Sequence, residues 1–198
     1  MLKLKKIAVT GSVASGKSSV VSFLRDFGAF TLECDQIVHD LFISNPSIQQ
    51  QVIALLGKKI LVNGLISQEK IATIVFENPQ KLGELERIVH PFVLKEILSV
   101  YYHIKKSSQI PLFVVEVPLF FESPLQALRE FFDYCVLVIL EEKLAKKRFP
   151  KSDFAKRQKR FLPCREKEQQ ADFLIENNGS KEHLKLRTHQ LYEKLIKL

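Results

Sequence analysis

Apolar residues follow two different patterns along this chain. Five short runs are rich in apolar residues without a helical spacing, near residues 6–10, 30–33, 112–117, 134–140 and 173–176. The longer segments between them, such as residues 18–27, carry apolar residues at helical spacing. Continuously apolar strands that alternate with helices are typical of a parallel sheet buried on both faces. The pattern predicts an α/β fold with a five-stranded parallel sheet covered by helices on both faces.

A long helical region separates the second and third predicted strands, over roughly residues 36–110. Helices are expected to start at or near Pro46, Ser67 and Pro79. Gly57 and Asn63-Gly64 are expected to interrupt regular structure, because glycine and asparagine favour turns. The helix from Pro79 is expected to be interrupted at Pro91, because a proline removes one helical hydrogen bond. A last helix is predicted through Leu184, Leu191 and Leu195.

The most informative motif follows the first apolar run. Residues 11–18 read Gly-Ser-Val-Ala-Ser-Gly-Lys-Ser and fit the phosphate-binding loop G-x-x-x-x-G-K-[ST], between a predicted strand and a predicted helix. Backbone N–H groups of such a loop and of the following helix bind a polyphosphate. Lys17 adds a charge for the β- and γ-phosphates, and Ser18 adds a hydroxyl for Mg²⁺. We therefore expect ATP to contact the loop residues Gly11, Ser12, Val13, Ala14, Ser15, Gly16, Lys17, Ser18 and Ser19.

Two acidic residues follow or lie within the neighbouring predicted strands. Asp35 comes just after the second run, where a carboxylate can accept a proton from an attacking hydroxyl or help to hold Mg²⁺. The alternative is that Asp35 caps a helix that starts near Gln36. Glu116 is a second candidate for orienting Mg²⁺, although its position in the middle of the third run leaves its direction open. His90 is either an ordinary helix residue or is turned toward a cleft by Pro91.

The charge of the chain is concentrated in one segment. The formal net charge is +8, and residues 143–167 alone contain eleven lysines and arginines against two acids. Three interpretations stay open for this segment: a lid over phosphates, a solvated helical surface, or a nucleic-acid-binding patch. The lid is favoured because a phosphate-binding loop is present.

Length and composition favour a single domain. The 198 residues are 46% hydrophobic, which is enough for a sizeable core. The three cysteines have no metal-ligand spacing, no apolar run is long enough to span a bilayer, and the N-terminus lacks the features of a signal peptide. We expect a cytoplasmic protein without a membrane partner, either a monomer or a weak oligomer.

The motifs together resemble those of the dephospho-coenzyme A kinase family, nearly end to end and in order. The family's D-A-D-x-[IV] segment is similar to Glu33-Cys34-Asp35-Gln36-Ile37 and its L-E-x-I-x-H-P motif to residues 85–91. Its P-L-L-[FV]-E motif resembles Pro118-Leu119-Phe120-Phe121-Glu122, and its A-D-x-[VI]-I-x-N-x-G motif resembles residues 171–179. The last three motifs are far more specific than the phosphate-binding loop.

The resemblance implies a P-loop kinase that transfers the ATP γ-phosphate to the ribose 3′-hydroxyl of dephospho-coenzyme A, with Mg²⁺. It implies a helical acceptor-binding region, within roughly residues 36–110, and a lid at roughly 143–167. It also implies roles for particular residues. Asp35 matches the catalytic base, Lys17 and Arg148 stabilise the transferring group, and Asn177 lies near the adenine. The acceptor side is implied to involve Asp35, His90, Pro118, Phe120 and Glu122.

Some positions depart from the family pattern. Glu33 replaces the first aspartate of D-A-D, and Gln68 stands where an arginine is expected. The lid usually has a second arginine one turn after the position of Arg148, where this chain has Ser152. A lid glutamine is usual near the position of Phe161. These departures concern the lid and the acceptor pocket, not Lys17, Ser18 or Asp35.

Two other functions fit parts of the sequence. A nucleoside or nucleotide kinase shares the loop and the basic segment but does not account for the His-Pro and Pro-Leu-Phe-Phe-Glu motifs. A nucleotide-dependent nucleic-acid-binding protein fits the basic segment, but no recognisable nucleic-acid-binding motif accompanies it. We therefore expect ATP and dephospho-coenzyme A as partners, and no nucleic acid.

Overall fold

A computed structural model describes residues 4–106, 109–122, 129–148 and 161–198. The chain divides into two compact units. The first combines Met1–Glu33 with Tyr101–Leu198, and the second is Cys34–Val100.

The first unit is built on a five-stranded sheet in the order β2-β5-β1-β6-β7. All four neighbouring pairs are parallel, which confirms the predicted fold class. The strands begin and end close to the predicted positions: β1 Lys5–Gly11, β2 Phe30–Glu33, β5 Leu112–Glu116, β6 Tyr134–Ile139 and β7 Phe173–Glu176. Because all five strands point the same way, their carboxyl ends lie at one edge of the sheet, where ligands bind in folds of this class.

Both faces of this sheet are covered. Every residue of β5 is buried, and since successive residues of a strand point to opposite faces, neither face is open to water there. On one face, helices α1 (Lys17–Asp26) and α8 (Lys181–Lys197) pack on the strands through the residues Val20, Leu24, Leu184, Leu191 and Leu195. Each such side chain contributes about 1.5–3 kcal/mol when fully buried.

Aromatic rings cover the other face near Phe113. The Phe113 ring stacks on Phe30 at 6.0 Å between centroids, and it meets the edges of Tyr101 at 5.4 Å and Phe131 at 6.5 Å. Tyr101 belongs to the last turns of α5 (Pro79–Ile104). Apolar side chains therefore cover both faces of the sheet, and Phe113 lies in a cluster of aromatic rings on the second face.

The second unit is mainly helical. It contains α2 (Cys34–Ser44), α3 (Pro46–Leu56), a short 3₁₀ helix (Lys58–Ile60), α4 (Gln68–Phe76) and most of α5. The predicted helix starts are confirmed, because the Asn45 side chain accepts hydrogen bonds from two N–H groups of α3 and the Ser67 hydroxyl accepts one from Lys70.

One local expectation for this unit was wrong, and another was correct but incomplete. Pro91 lies inside α5, which continues through it, so the missing N–H removes a hydrogen bond without ending the helix. Asn63-Gly64 does more than break the chain, since it is the turn of a small antiparallel hairpin between β3 (Leu61–Val62) and β4 (Leu65–Ile66). Both turn residues have positive φ, 51° and 80°, as a two-residue hairpin turn of this kind requires.

Two short helices complete the described part of the first unit, α6 (Glu142–Arg148) and α7 (Cys164–Glu168). Among the residues described, no helix is both long and apolar enough to cross a membrane.

Gly11 tests how tightly β1 is held at its carboxyl end. A Cβ at this position would lie 2.3 Å from the Val138 carbonyl oxygen and 2.7 Å from Ser15 Oγ, so Gly11→Ala must displace the backbone. We expect a loss of about 1–3 kcal/mol in the free energy of unfolding. Gly83 is the matched control, because it lies in α5 with no atom within 4 Å of its added Cβ, and Gly83→Ala should stabilise the protein by about 0.5–1 kcal/mol.

Urea unfolding of the two variants beside the unchanged protein measures both effects. A Gly11→Ala midpoint equal to or above that of Gly83→Ala would contradict the steric argument.

Candidate active site

The phosphate-binding loop joins the end of β1 to the start of α1. Gly16 precedes α1 with a φ of 94°, a left-handed conformation that glycine adopts without strain. The Lys17 side chain folds back over the loop, and its Nζ donates to the carbonyl oxygens of Gly11 and Ser12, both at 3.1 Å. The ammonium group therefore lies at the centre of the ring of backbone that the sequence predicted as the polyphosphate site.

Asn177 supports this loop from behind. It follows β7, it is buried, and its Nδ2 donates to the Ser15 carbonyl oxygen at 2.8 Å. A Cβ at Gly16 would lie 2.3 Å from the same Nδ2, so the amide also limits what residue 16 can be. The implied contact between Asn177 and adenine stays a prediction. The sequence did not predict this loop contact, because Asn177 was singled out only by the resemblance of residues 171–179 to a family motif.

Ala14 is a strained position in the loop. Its φ is 58°, in the left-handed region, where a residue with a Cβ costs about 1–2 kcal/mol relative to its usual conformation. The rest of the loop therefore holds residue 14 in a backbone conformation that alanine does not favour.

Ser18 and Glu116 form the part of the site that fits a metal ion. Ser18 Oγ donates to Glu116 Oε1 at 3.3 Å. Glu116 is the last residue of β5, not a residue in the middle of it as expected, so it reaches the edge of the sheet where the loop lies. A hydroxyl and a carboxylate are hard oxygen ligands of the kind that Mg²⁺ prefers, with phosphates and waters as its remaining ligands.

The described residues contain no cluster of three or more His, Cys, Asp or Glu side chains that would hold a metal without a substrate. Such a cage is not needed for Mg²⁺ in a kinase, where the nucleotide phosphates complete the ligand set.

A cavity of about 500 Å³ adjoins the phosphate-binding loop. It is bordered by Ser12 and Val13 of the loop, by Ile139 and Leu140 at the end of β6, and by residues 161–164. Its size lies within the range of small-molecule sites. Its lining combines apolar side chains with polar ones, Ser12, Asn178 and the glutamates Glu141, Glu142, Glu168 and Glu176. The cavity is therefore a candidate site for the base and ribose of a nucleotide whose phosphates lie in the loop.

Cys164 borders the cavity as a neutral thiol. Cys164 is exposed as a residue, but desolvation of its thiol and the Glu168 carboxylate, which accepts a hydrogen bond from Sγ at 3.2 Å, raise the pKa of Cys164 to about 11. The buried Cys135 has its pKa raised to about 12, mainly by burial. Neither group is therefore activated as a nucleophile near neutral pH.

Pro118, Phe120 and Glu122 were expected at the acceptor. The Pro118 carbonyl oxygen accepts from Thr10 Oγ1 at 3.4 Å, which ties the segment to β1. The Phe120 ring has no exposed surface and packs against Phe121 and Phe132, so it supports the segment from the core. Acceptor contacts by these residues stay predictions.

Glu122 takes part in a buried ion pair with Lys167. Lys167 Nζ lies 2.9 Å from Glu122 Oε1, and the two side chains are only 1% and 7% exposed. The same oxygen accepts from the Leu162 N–H at 3.0 Å. The sequence analysis counted Lys167 among the charges of the basic segment 143–167. Its burial shows that it is not part of a solvated surface. No sequence pattern distinguishes it from the neighbouring lysines and arginines.

Asp35 and His90 belong to the second unit. Helix α2 begins at Cys34, so Asp35 lies in its first turn and is not its N-cap, and the capping alternative was wrong. Asp35 is exposed and comes two residues after the end of β2. His90 is half-buried within α5.

Nearly half of the predicted lid lies outside the described ranges. This part is residues 149–160, and it includes Ser152. Arg148 is the last residue of α6, and the role of its side chain stays a prediction.

Comparisons with known proteins agree on one family. The family model described as "Dephospho-CoA kinase" matches residues 5–183. A protein named dephospho-CoA kinase, from Protochlamydia amoebophila, is 38% identical over 202 residues, covering 98% of this chain and 98% of its own length. A Chlamydia pneumoniae protein of the same name is 38% identical, with 93% of each chain covered.

Solved structures show the same fold at lower identity. The dephospho-CoA kinase from Campylobacter jejuni superposes with a TM-score of 0.67 at 21% identity, covering 99% of this chain and 100% of that one.

The buried pair gives a stability test. Lys167→Met leaves the Glu122 carboxylate buried without its cation, and we expect a loss of about 3–5 kcal/mol in the free energy of unfolding. The double variant with Glu122→Gln should recover most of this loss, since no charge is then buried. Lys146→Met is the matched control, because the Lys146–Glu142 pair is 59% exposed at each side chain and should contribute less than about 1 kcal/mol.

Chemical denaturation of the three variants measures these differences. Equal destabilisation by Lys167→Met and Lys146→Met would show that the buried ion pair contributes no more to the free energy of unfolding than the exposed pair.

Proposed function

The chain belongs to the dephospho-CoA kinase family, and we propose that it transfers the γ-phosphate of ATP to the ribose 3′-hydroxyl of dephospho-coenzyme A. The products are coenzyme A and ADP, and the reaction is the last step of coenzyme A synthesis. The observation that carries the proposal is the phosphate-binding loop, with Lys17 at its centre, in a chain that the family model matches over residues 5–183. Nucleoside kinases and nucleic-acid-binding proteins are not favoured, because the named relatives share the family over nearly their whole length.

Lys17 and the loop N–H groups hold the transferring phosphate. Lys17 Nζ now donates to two loop carbonyl oxygens, and phosphate oxygens are stronger acceptors for an ammonium group. Because the charge is already at the centre of the loop, little reorganisation is needed when the nucleotide binds. The other predicted loop contacts and Arg148 would add to the stabilisation of the γ-phosphate.

Ser18 and Glu116 are the residues that would hold Mg²⁺. When bound, the ion would offset the charge of the β- and γ-phosphates. Ser18 Oγ and Glu116 Oε1 are already 3.3 Å apart, which brings two suitable oxygens together beside the loop. Glu116 is buried to 7% exposure, so water competes little for its carboxylate.

Asp35 is the proposed base for the acceptor hydroxyl. Its exposed carboxylate can accept a hydrogen bond from the hydroxyl, orient it for in-line attack and take its proton as the bond to phosphorus forms. We assign His90, Pro118 and Glu122 to acceptor binding, with Phe120 supporting this segment from the core, and Asn177 to the ATP side, through its contact with the loop.

We further expect ATP and dephospho-coenzyme A to be the substrates. The protein should act in the cytoplasm as a monomer or weak oligomer, without nucleic acid or membrane.

Release of ADP measured with a panel of acceptors tests the function. Dephospho-coenzyme A should give turnover at least about 100-fold above adenosine or AMP, because the smaller acceptors lack groups whose binding energy can be used in the transition state. Lys17→Ala is the negative control, since loss of a positioned charge should lower kcat/KM by about 10²–10³. Equal turnover with adenosine would favour a nucleoside kinase, and near-normal turnover by a folded Lys17→Ala variant would contradict the phosphate site.

Asp35→Asn tests the base. The amide keeps the size of the side chain but cannot take a proton, so we expect kcat to fall by about 10²–10⁴. The melting temperature and the Kd for ATP should change little, because Asp35 is exposed and does not cap α2. If ATP binding falls together with kcat, Asp35 belongs to the metal site; if kcat is unchanged, another group orients the hydroxyl.

A further inference from the structure

Phe161 is an aromatic residue at the border of the cavity beside the phosphate-binding loop. The cavity of about 500 Å³ is also bordered by Ser12 and Val13 of that loop, so it offers space for the nucleoside of a nucleotide whose phosphates lie in the loop. Apart from Phe161, the apolar border consists of aliphatic side chains, among them Ile139, Leu140 and Leu162. Among the residues described, Phe161 is the one aromatic side chain that borders the cavity.

The ring is held in place by buried charges. Lys167 Nζ lies 4.5 Å from the ring centroid of Phe161, within the range of a cation–π contact. Lys167 itself is 1% exposed and is fixed by Glu122 at 2.9 Å. The cation beneath the ring therefore has little freedom to move.

The backbone next to the ring is fixed by the same carboxylate. The N–H of Leu162 donates to Glu122 Oε1 at 3.0 Å, which restrains the residue that follows Phe161. A ring restrained through both its face and its backbone loses little conformational entropy when a ligand packs on it, and this is the condition for an efficient contact.

We propose that Phe161 is the stacking surface for the nucleobase of the phosphate donor, positioned by the Glu122–Lys167 pair. The proposal rests on the proposed kinase function and names the donor subsite of the same reaction. Stacking on an aromatic ring is tolerant of base identity, because every base has a π-face. Phe161 therefore contributes affinity for ATP and GTP alike, and any selection between them is made by other groups.

Binding measurements separate the base from the phosphates. We expect Phe161→Leu to raise the Kd for ATP and for GTP about tenfold, and the KM for ATP similarly, with kcat little changed. The affinity for inorganic tripolyphosphate, which has no base, should stay unchanged. Phe161→Tyr keeps the ring and should bind ATP within about threefold of the unchanged protein.

Phe173→Leu is the matched control. Phe173 also lies under a lysine, with Lys194 Nζ 5.0 Å from its ring centroid, but it does not border the cavity. The affinities of this variant for ATP and tripolyphosphate should both be unchanged.

Three results would contradict either the stacking role of Phe161 or the proposed kinase function. An unchanged Kd for ATP in Phe161→Leu overturns the stacking role, and so does an equal loss of ATP and tripolyphosphate affinity, which indicates a disturbed loop. If the unchanged protein binds ATP through Phe161 but does not phosphorylate dephospho-coenzyme A, the proposed function fails while the base subsite stands.

Discussion

The turn between β1 and α1 has no room for a side chain at either of its glycines. At Gly11 an added Cβ would meet the carbonyl oxygen of Val138, and at Gly16 it would meet the amide of Asn177, each at 2.3 Å. The Val138 contact comes from β6, the neighbour of β1, and the Asn177 contact comes from the residue after β7. The conformation of the loop therefore depends on which strands the sheet places beside β1. The strained φ of Ala14 follows from the same confinement. A polyphosphate site therefore depends on packing between strands far apart in sequence.

The parallel sheet determines what gathers around that turn. Glu116 ends β5, Asn177 follows β7, and the strand pairs that hold both are parallel, so the two side chains reach the loop from opposite sides of β1 in the strand order. One supplies an acidic oxygen next to Ser18, and the other binds a carbonyl oxygen of the loop. The strand order thus places the candidate metal ligand Glu116 on one side of β1 and the loop-supporting amide of Asn177 on the other.

Local patterns were enough to predict the strands, most helix starts and the phosphate-binding loop, because each depends on residues close together in sequence. The Asn63-Gly64 hairpin was missed although its turn residues indicated it, since strands of two residues carry almost no periodicity. Pro91 was misjudged because packing outweighs one lost hydrogen bond in a helix of 26 residues. The contacts of Asn177 with Ser15 and of Lys167 with Glu122 join positions 162 and 45 residues apart, and no local pattern carries such information.

Cys164 has a consequence for inhibitor chemistry. A cysteine that borders a cavity is an attractive attachment point for a covalent inhibitor. The pKa of Cys164 is raised to about 11, however, so little of the thiol is ionised near neutral pH, and the thiolate is the reactive form. A mild electrophile would therefore react slowly with Cys164, and a compound aimed at this cavity would depend mainly on reversible contacts.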